Sequence, residues 1–209
     1  MTDKIHSLFS VPIIEIKIPS EFSSIIKFFN SQSLLEPDHS MKIEFGNRSK
    51  DSYILDNPKC VLLKNFLLQK ISEYGQEVLN LDYSEYKLTQ SWISIKHLGE
   101  THAPHTHPNS IISGVFYYGE VSESTSKLGF QKIPVSTSYV MEPKYKSNFN
   151  PLNGPYFLPV SPGTLYLFPS NLGHFVNTNN TSIPRKSLAF NSVPKKGLGV
   201  ESFLTEFKF

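Results

Sequence analysis

The chain has 209 residues, which is enough for one well-buried domain and too few for two ordinary domains with a linker. Hydrophobic residues make up 39%, aromatic residues 13% and charged residues only 18%, a composition that excludes a disordered chain. The 20 basic and 18 acidic residues leave a net charge of +2 with no dense basic run, and this balance argues against nucleic acid as a partner.

Cys60 is the only cysteine, which excludes an intramolecular disulfide and a metal site built from several thiolates. No stretch approaches the ~20 apolar residues of a membrane span, and the first residues lack an apolar run of signal-peptide length. The sequence therefore predicts a cytoplasmic protein that does not bind a membrane. It leaves the oligomeric state open.

The N-terminal part of the chain is predicted to contain one strand and two helices. Residues 8–18 are β-branched and partly alternating, and Pro12 favours an edge strand. Ser20 is the predicted N-cap of a helix that runs to about Asn30. Apolar residues recur every three or four positions over 58–80, which predicts a long amphipathic helix.

The second half of the chain is predicted to be all β, because short runs rich in Val, Ile, Tyr, Phe and Thr alternate with Gly, Pro, Asn and Ser clusters. The predicted strands cover 86–97, 111–118, 128–133, 137–142, 156–160, 164–168, 174–178, 185–193 and 199–208. This spacing favours a mainly β (α+β) fold, a double-stranded β-helix of the jelly-roll, cupin-like type with the N-terminal helices packed on one sheet. We expect a single domain over 1–209, helical over about 1–83, with the β-helix core over about 84–209.

The segment Glu142–Tyr156 is the longest irregular stretch of the β half. Long loops in compact domains are often lids over a functional site. We therefore predict that this segment is mobile without substrate and more protected with it.

A cluster of histidines is the first sign of chemistry, because four of the seven lie between His97 and His107. In an extended segment, residues two apart point to the same side, so His105 and His107 can present both imidazoles to one ion. Neutral imidazole suits iron, zinc, copper and nickel. The alternative is a loop of solvated histidines. His174, the only histidine downstream, supplies a third ligand, since a double-stranded β-helix brings early and late strands side by side.

The second sign of chemistry is Arg185, one of only two arginines. Strand alternation places Arg185 and Ser187 on one face and Lys186 on the other. A guanidinium buried beside a metal needs an anion, and its fork matches a carboxylate bidentately, with the serine hydroxyl as a second donor. In the alternative, Arg185 is a solvated surface charge and Lys186 points inward.

Several motifs together resemble a known family and cover about residues 92–192. They are His105-x-His107-Pro108, the runs Ser113–Tyr118 and Pro162–Ser170, His174, and Arg185-x-Ser187 through Asn191. This layout resembles the 2-oxoglutarate and iron(II)-dependent oxygenases, and more closely a bacterial and phage branch distantly similar to prolyl hydroxylases. If the chain is of phage origin, the location expected is the host cytoplasm.

The resemblance implies an enzyme that couples decarboxylation of 2-oxoglutarate to oxidation of a substrate by dioxygen, with ascorbate as an additional cofactor. The substrate is an unknown small molecule or peptide. The implied iron ligands are His105, His107 and His174. The implied ligands of the far carboxylate of 2-oxoglutarate are Arg185 and Ser187, with Tyr117 at the position of a tyrosine in the prolyl hydroxylase-like pattern. Aromatic candidates for the substrate mouth are Trp92, Tyr118, Tyr145, Phe149 and Tyr156.

One position departs from the wider family, which has aspartate or glutamate where this chain has His107. Two interpretations stay open. In the first, three histidines bind the metal and leave it one more positive charge, which weakens or retunes oxygen activation. In the second, His107 lies outside the ligand set and Glu100 or a water completes it.

Two other function classes compete with the oxygenase. Gly99 followed by His105-x-His107 resembles the start of a cupin motif, which favours a metal enzyme that does not use 2-oxoglutarate. The glutamate expected next is absent, since isoleucine occupies positions 111 and 112, and Arg185 would be unexplained. A non-catalytic jelly-roll binding module is the other alternative, because fold alone does not determine function.

Overall fold

Two antiparallel β-sheets form the framework of residues 10–35, 47–131 and 155–208, which a computed structural model describes. The strands are β1 (Ile14–Lys17), β2 (Leu34–Leu35), β3 (Asn47–Ser49), β4 (Tyr86–Lys96), β5 (His102–His105), β6 (Ile112–Tyr117), β7 (Leu128–Gln131), β8 (Tyr156–Leu158), β9 (Thr164–Pro169), β10 (Gly173–Val176) and β11 (Arg185–Pro194). The large sheet has the order β1-β9-β6-β11-β4-β3-β2, and the small sheet has the order β5-β10-β7-β8.

The helices precede the β-rich half. They are α1 (Ile25–Asn30), entered through a 3-10 turn at Ser20–Ser24, and α2 (Val61–Glu73), entered through a 3-10 turn at Pro58–Cys60 and continued by a π-helical turn at Tyr74–Val78. A further 3-10 turn spans Ile54–Asp56, and another spans Glu201–Phe203. Within the described residues, no helix has the length and apolar content that crossing a membrane requires.

Alternation along the large sheet separates an outer, apolar face from an inner face that carries the polar groups. On the outer face, fully buried Leu188 and Phe190 of β11 pack in one core with Leu67 and Ile71 of α2. The opposite face of the same sheet packs against the small sheet through a second core that includes Tyr166 and Phe130. The prediction of a β-helix with helices on one sheet is confirmed.

The topology brings early and late strands together, as a double-stranded β-helix requires. Late strand β11 lies between early strands β4 and β6, and late strand β10 lies between β5 and β7. As a result, β4 and β5, which end by residue 105, both pair with strands that begin after residue 172.

Most predicted strands of the β half are confirmed, and β1 lies at the edge of the large sheet as Pro12 suggested. The predicted strand 199–208 is wrong: Gly197 and Gly199 have positive φ values of 129° and 80°, and a 3-10 turn follows them. Ser20 is not the N-cap, since it lies within the first 3-10 turn behind Pro19. The predicted strand 137–142 lies outside the described residues.

Candidate functional site

The three candidate metal ligands come from two strands of the small sheet and the loop after one of them. His105 ends β5 and lies directly opposite His174 of β10 in the strand register. His107 follows β5 by two residues, and its backbone N–H donates to the carbonyl of Ser170 at 2.9 Å. The structure therefore brings together all three predicted histidines.

The ligand atoms of these histidines lie within 4.8 Å of one another. The Nε2 atoms of His107 and His174 are 3.1 Å apart. Two imidazoles bound at right angles to one metal, each at about 2.1 Å, would have nitrogens about 3.0 Å apart. The His107 and His174 nitrogens are therefore spaced as two ligands of one divalent transition metal, and the third histidine lies close enough to approach the same ion.

Backbone contacts select the ring nitrogen that can bind a metal. The Nδ1 atoms of His105 and His174 lie 2.9 Å from the carbonyl oxygens of Ala103 and Leu172. A carbonyl only accepts, so Nδ1 carries the proton in each contact and Nε2 keeps its lone pair. Histidine ligands in proteins are commonly oriented by such contacts.

Burial keeps the cluster neutral. Burial, and after it the charges of neighbouring histidines, lowers the pKa of His174 to about 3 and that of His107 to about 4. Burial also lowers the pKa of His105. Protons therefore compete weakly with a metal for these rings near neutral pH.

Aromatic rings enclose the cluster. The ring centroid of Phe168 lies 4.8 Å from that of His174, and Trp92 makes an edge contact with His107 at 5.8 Å. The ring of His102 stacks on His105 at 4.3 Å with an interplanar angle of 19°. This wall limits water at the site and supports the placing of Trp92 near the substrate mouth.

The alternative ligand Glu100 is not part of the cluster. Its carboxylate is buried and accepts a hydrogen bond from the backbone N–H of His97 at 2.8 Å. Among the residues that the structure describes, the potential metal-binding group consists of three histidines and no carboxylate. This geometry favours the three-histidine interpretation.

Arg185 points inward, as alternation predicted. It begins β11, is 2% exposed, and its Nη2 donates to the Tyr117 hydroxyl at 2.7 Å while the guanidinium lies 4.7 Å from the Tyr117 ring centre. Within the described parts of the chain, its Nε has no hydrogen-bond partner and no carboxylate forms an ion pair with it. Ser187, also 2% exposed, lies opposite Tyr117 in the register. Among the described residues, this buried cation has no carboxylate partner.

Lys96 is a functional candidate that sequence reasoning missed. It ends β4, is fully buried, lies opposite Arg185 in the register, and its Nζ is 3.2 Å from the Ser94 hydroxyl. Its pKa is lowered to about 7, chiefly by burial and then by the charge of Arg185, while the charge of Glu100 acts in the opposite direction. The signal available in the sequence was the alternation Trp92, Ser94, Lys96 at the end of the predicted strand.

The cations and the histidines share one interior. The charge of Lys96 lowers the pKa of His105, and the charges of Lys96 and Arg185 both lower the pKa of His102, after the larger effect of burial. The geometry agrees, because Trp92, which contacts His107, precedes Lys96 by four residues on β4 and so lies on the same face of that strand. An anion bound at Arg185 therefore lies in the same interior as a metal at the histidines.

A chain of buried hydroxyls supports the loop that carries His107. The Ser113 hydroxyl contacts that of Ser170 at 2.8 Å and donates to Oδ1 of Asn191 at 2.8 Å. Ser170 in turn donates to the Ser110 hydroxyl at 2.8 Å. Since the Ser170 carbonyl receives the His107 N–H, this network fixes the position of the third histidine.

The remaining aromatic residues that were predicted to line the substrate mouth lie in different parts of the chain. Tyr118 does not line the mouth: it is buried on the outer face of the large sheet, where its ring lies 5.3 Å from that of Phe29. Tyr156 is exposed on β8. Tyr145, Phe149 and nearly all of the predicted lid lie outside the described residues, so the lid stays a prediction.

Comparison with family models gives one match. Residues 90–191, which include both candidate ligand sets, match the family described as "Putative 2OG-Fe(II) oxygenase". The matched region spans just under half of the chain. The family is described as an oxygenase, and iron(II) and 2-oxoglutarate are its cofactors. The predicted resemblance is confirmed.

Solved structures of 2OG-Fe(II) oxygenases share the fold. The epimerase SnoN in complex with Fe3+, alpha ketoglutarate and nogalamycin RO has a TM-score of 0.63 at 10% identity, covering 94% of this chain and 86% of SnoN. A Pseudomonas putida prolyl-4-hydroxylase has a TM-score of 0.59 at 12% identity, covering 88% and 94%. A Trichoplax adhaerens prolyl hydroxylase in complex with a hypoxia inducible factor peptide has a TM-score of 0.60 at 13% identity, covering 92% and 86%. No curated protein matches the sequence.

Proposed function

We propose that this oxygenase holds iron(II) on His105, His107 and His174 and binds the far carboxylate of 2-oxoglutarate with Arg185, Ser187 and Tyr117. The reaction couples decarboxylation of 2-oxoglutarate to succinate and carbon dioxide with oxidation of a C–H bond by dioxygen. The observation that carries this proposal is the buried Arg185, whose Nε lacks a partner among the described residues, in the same interior as three convergent imidazoles.

Each group of side chains has a separate role in the proposed site. His105 and His174 offer Nε2 because their Nδ1 protons are engaged by backbone carbonyls. Arg185 is held by the Tyr117 hydroxyl and so presents its fork in a fixed direction. The aromatic rings around the cluster limit water. When bound, iron(II) supplies the oxygen chemistry that no side chain provides.

The proposal extends to a small-molecule or peptide substrate and to a cytoplasmic location. Within the family fold, one neighbour is solved with a peptide and another with nogalamycin RO, so the fold accepts both kinds of ligand. The single cysteine supports a reducing compartment.

The full chain loaded with iron(II) tests the proposal. We expect near-stoichiometric iron by elemental analysis and succinate formation that requires 2-oxoglutarate and dioxygen. Even without substrate, slow uncoupled succinate release should exceed that of the metal-free protein.

Two outcomes would replace the proposal. Bound metal without binding or turnover of 2-oxoglutarate would favour a cupin-type metal enzyme of another class. Absence of metal after anaerobic reconstitution would favour a binding module. The three-histidine ligand set keeps the first of these as the second candidate, because it departs from the two-histidine, one-carboxylate set of the wider family.

A further inference from the structure

The inner face of the large sheet continues past the metal site in the direction away from Arg185. Ala189 and Asn191 follow Arg185 on this face of β11, because residues two apart in a strand share a face. Trp92 of β4 pairs with Ala189 and makes an edge contact with the candidate ligand His107. Asn191 therefore lies one inward-facing position beyond the row that borders the metal site.

Asn191 lies too far from Arg185 for both to hold one molecule of the size of 2-oxoglutarate. The two residues are six positions apart on one strand, which corresponds to about 20 Å. A five-carbon dicarboxylate, with carbon–carbon bonds of about 1.5 Å, spans less than half of that length. The inner face at Asn191 is therefore available to a second molecule while 2-oxoglutarate lies between Arg185 and the metal.

The side-chain amide of Asn191 has a donor for such a molecule. Its Oδ1 accepts a hydrogen bond from the Ser113 hydroxyl at 2.8 Å, whereas its Nδ2 has no partner within the part of the chain that the structure describes. Asn191 is only 7% exposed, yet Nδ2 is not among the fully enclosed unpaired atoms of those residues. A nearly buried donor without an acceptor is unfavourable, so Nδ2 is suited to an acceptor that a ligand brings.

The neighbours of Asn191 indicate the chemistry of that ligand. Across the sheet Asn191 pairs with Gln90, whose exposed amide offers both a donor and an acceptor. Trp92 adds a half-buried aromatic surface, and the small side chain of Ala189 leaves space between them. On β4, β11 and β6 no side chain of these two rows is charged, and the next charge along β4 is the exposed Lys87, three residues beyond Gln90. Two amides beside an aromatic surface match a neutral amide.

We propose that Asn191 and Gln90 bind the substrate that is oxidised, and that they do so through a neutral amide group of that substrate. Nδ2 of Asn191 donates to the carbonyl oxygen of this group, Gln90 binds its N–H, and Trp92 packs against its plane. This inference rests on the proposed function. It favours a substrate with an amide over a free amino acid, whose two charged groups would meet no opposite charge in these rows.

Paramagnetic line broadening tests the inference without turnover. The full chain is loaded anaerobically with manganese(II) and 2-oxoglutarate, and the proton signals of one probe at a time are recorded, because manganese broadens the signals of a probe held close to it. N-acetyl amino-acid N-methylamides represent a peptide backbone, and N-methylbenzamide represents a small-molecule amide. Free amino acids lack a neutral backbone amide. The zinc(II) form is the diamagnetic control.

The decisive variant is Asn191→Asp, because it keeps the acceptor for Ser113 and removes the Nδ2 donor. The matched control is Asn65→Asp, the same change at an exposed position of α2. We expect at least one amide probe, and no free amino acid, to be broadened in the parent and in the control. In Asn191→Asp the Kd of that probe should rise at least about fivefold, since one hydrogen bond is lost. The Kd values for manganese(II) and 2-oxoglutarate should not rise.

The second variant is Gln90→Ala, which removes an exposed amide and keeps the contact between Asn191 and Ser113. It should raise the Kd of the same probe by about threefold or more. Broadening of the capped amino acids alone would support a peptide substrate, and broadening of N-methylbenzamide alone would support a small-molecule amide.

Three results would overturn the inference: no broadening of any amide probe in the parent, broadening of free amino acids as strong as that of the amides, or an unchanged Kd in Asn191→Asp. If Asn191→Asp does not fold, an unchanged Kd in Gln90→Ala overturns it instead. If the parent binds neither manganese(II) nor 2-oxoglutarate, the proposed function fails. If it binds both and no amide probe approaches the metal, only the inference fails.

Discussion

The two sheets hold the two halves of the site in different ways. Strands β4 and β11 of the large sheet have 11 and 10 residues and pair along almost their whole length, and they carry Lys96 and Arg185. Strands β5 and β10 of the small sheet have four residues each, and their register shifts between His174 and Val176. The β4–β11 pair also has a register shift, but it lies at Asn191 and Ser192, away from Arg185. The carboxylate site is thus built on the regular end of two long strands, and the metal site on short strands with a shift next to His174.

The carboxylate site and the metal site are therefore held in place by different interactions. The large sheet is fixed by apolar packing of helices on its outer face, which is independent of ligands. The histidines are positioned by individual hydrogen bonds to Ala103, Leu172 and Ser170. Loss of one ligand should therefore affect the metal site far more than the carboxylate site.

The largest expected effect is loss of iron from His174→Ala or His105→Ala. Each change removes one of three convergent ligands, and the ligands left cannot hold the ion against water. Elemental analysis of purified variants measures this, with His97→Ala, an exposed histidine outside the cluster, as the control. Near-stoichiometric iron in His174→Ala would show that the small sheet does not hold the metal as proposed.

The next effect is a loss of stability of the metal-free protein in weak acid. The pKa values of His174 and His107 are lowered to about 3 and about 4 from 6.5 in the unfolded chain. The unfolded state therefore binds more protons below pH 6.5, so stability is full above that value and falls as pH decreases. At pH 5.0 each of these histidines lowers the free energy of unfolding by up to about 2 kcal/mol relative to its value above pH 6.5. Urea unfolding of the metal-free protein at pH 7.5 and at pH 5.0 measures this difference in the free energy of unfolding.

His174→Gln is the control for this pH dependence, because glutamine does not titrate. The metal-free variant should lose less stability between the two pH values than the parent. Equal losses would mean that the buried histidines of the small sheet are not held neutral.

A smaller effect distinguishes the two interpretations of His107. If it is a ligand, His107→Ala should raise the Kd for iron(II) by about tenfold or more, by analogy with losses at metal sites. His107→Asp should keep the metal and restore a two-histidine, one-carboxylate set, with uncoupled turnover equal to or above that of the parent. Anaerobic metal titration and succinate release measure the two quantities. Unchanged iron affinity in His107→Ala would place His107 outside the ligand set.

Local patterns in the sequence predicted much of the site. Strand alternation placed Arg185 and Ser187 inward, and the spacing of His105 and His107 predicted their convergence, although His107 lies beyond the end of β5. Both inferences use only the rule that side chains two residues apart in a strand lie on the same face. The approach of His174 needed the fold as well, and the jelly-roll prediction supplied it.

Other features depend on long-range pairing that a single sequence does not contain. A lysine at a strand end is normally exposed, and the burial of Lys96 follows from the register of β4 against β11. Strand β5 was not predicted from the sequence, because it contains Pro104 and proline is unfavourable inside sheets. The predicted strand at 199–208 is wrong because Gly197 and Gly199 adopt positive φ values that break the extended run.

The most direct test of the account is the affinity for 2-oxoglutarate of Arg185→Ala. A charge-assisted, bidentate contact in a buried site is worth on the order of 2–5 kcal/mol when one partner is removed. Calorimetric titration of the anaerobic iron(II) or manganese(II) form should show the Kd raised by about 30-fold or more. Metal content should stay unchanged, because the histidines belong to the other sheet, and Arg185→Lys should restore binding only in part. If Arg185→Ala binds 2-oxoglutarate as tightly as the parent, the large sheet does not anchor the co-substrate and the account is contradicted.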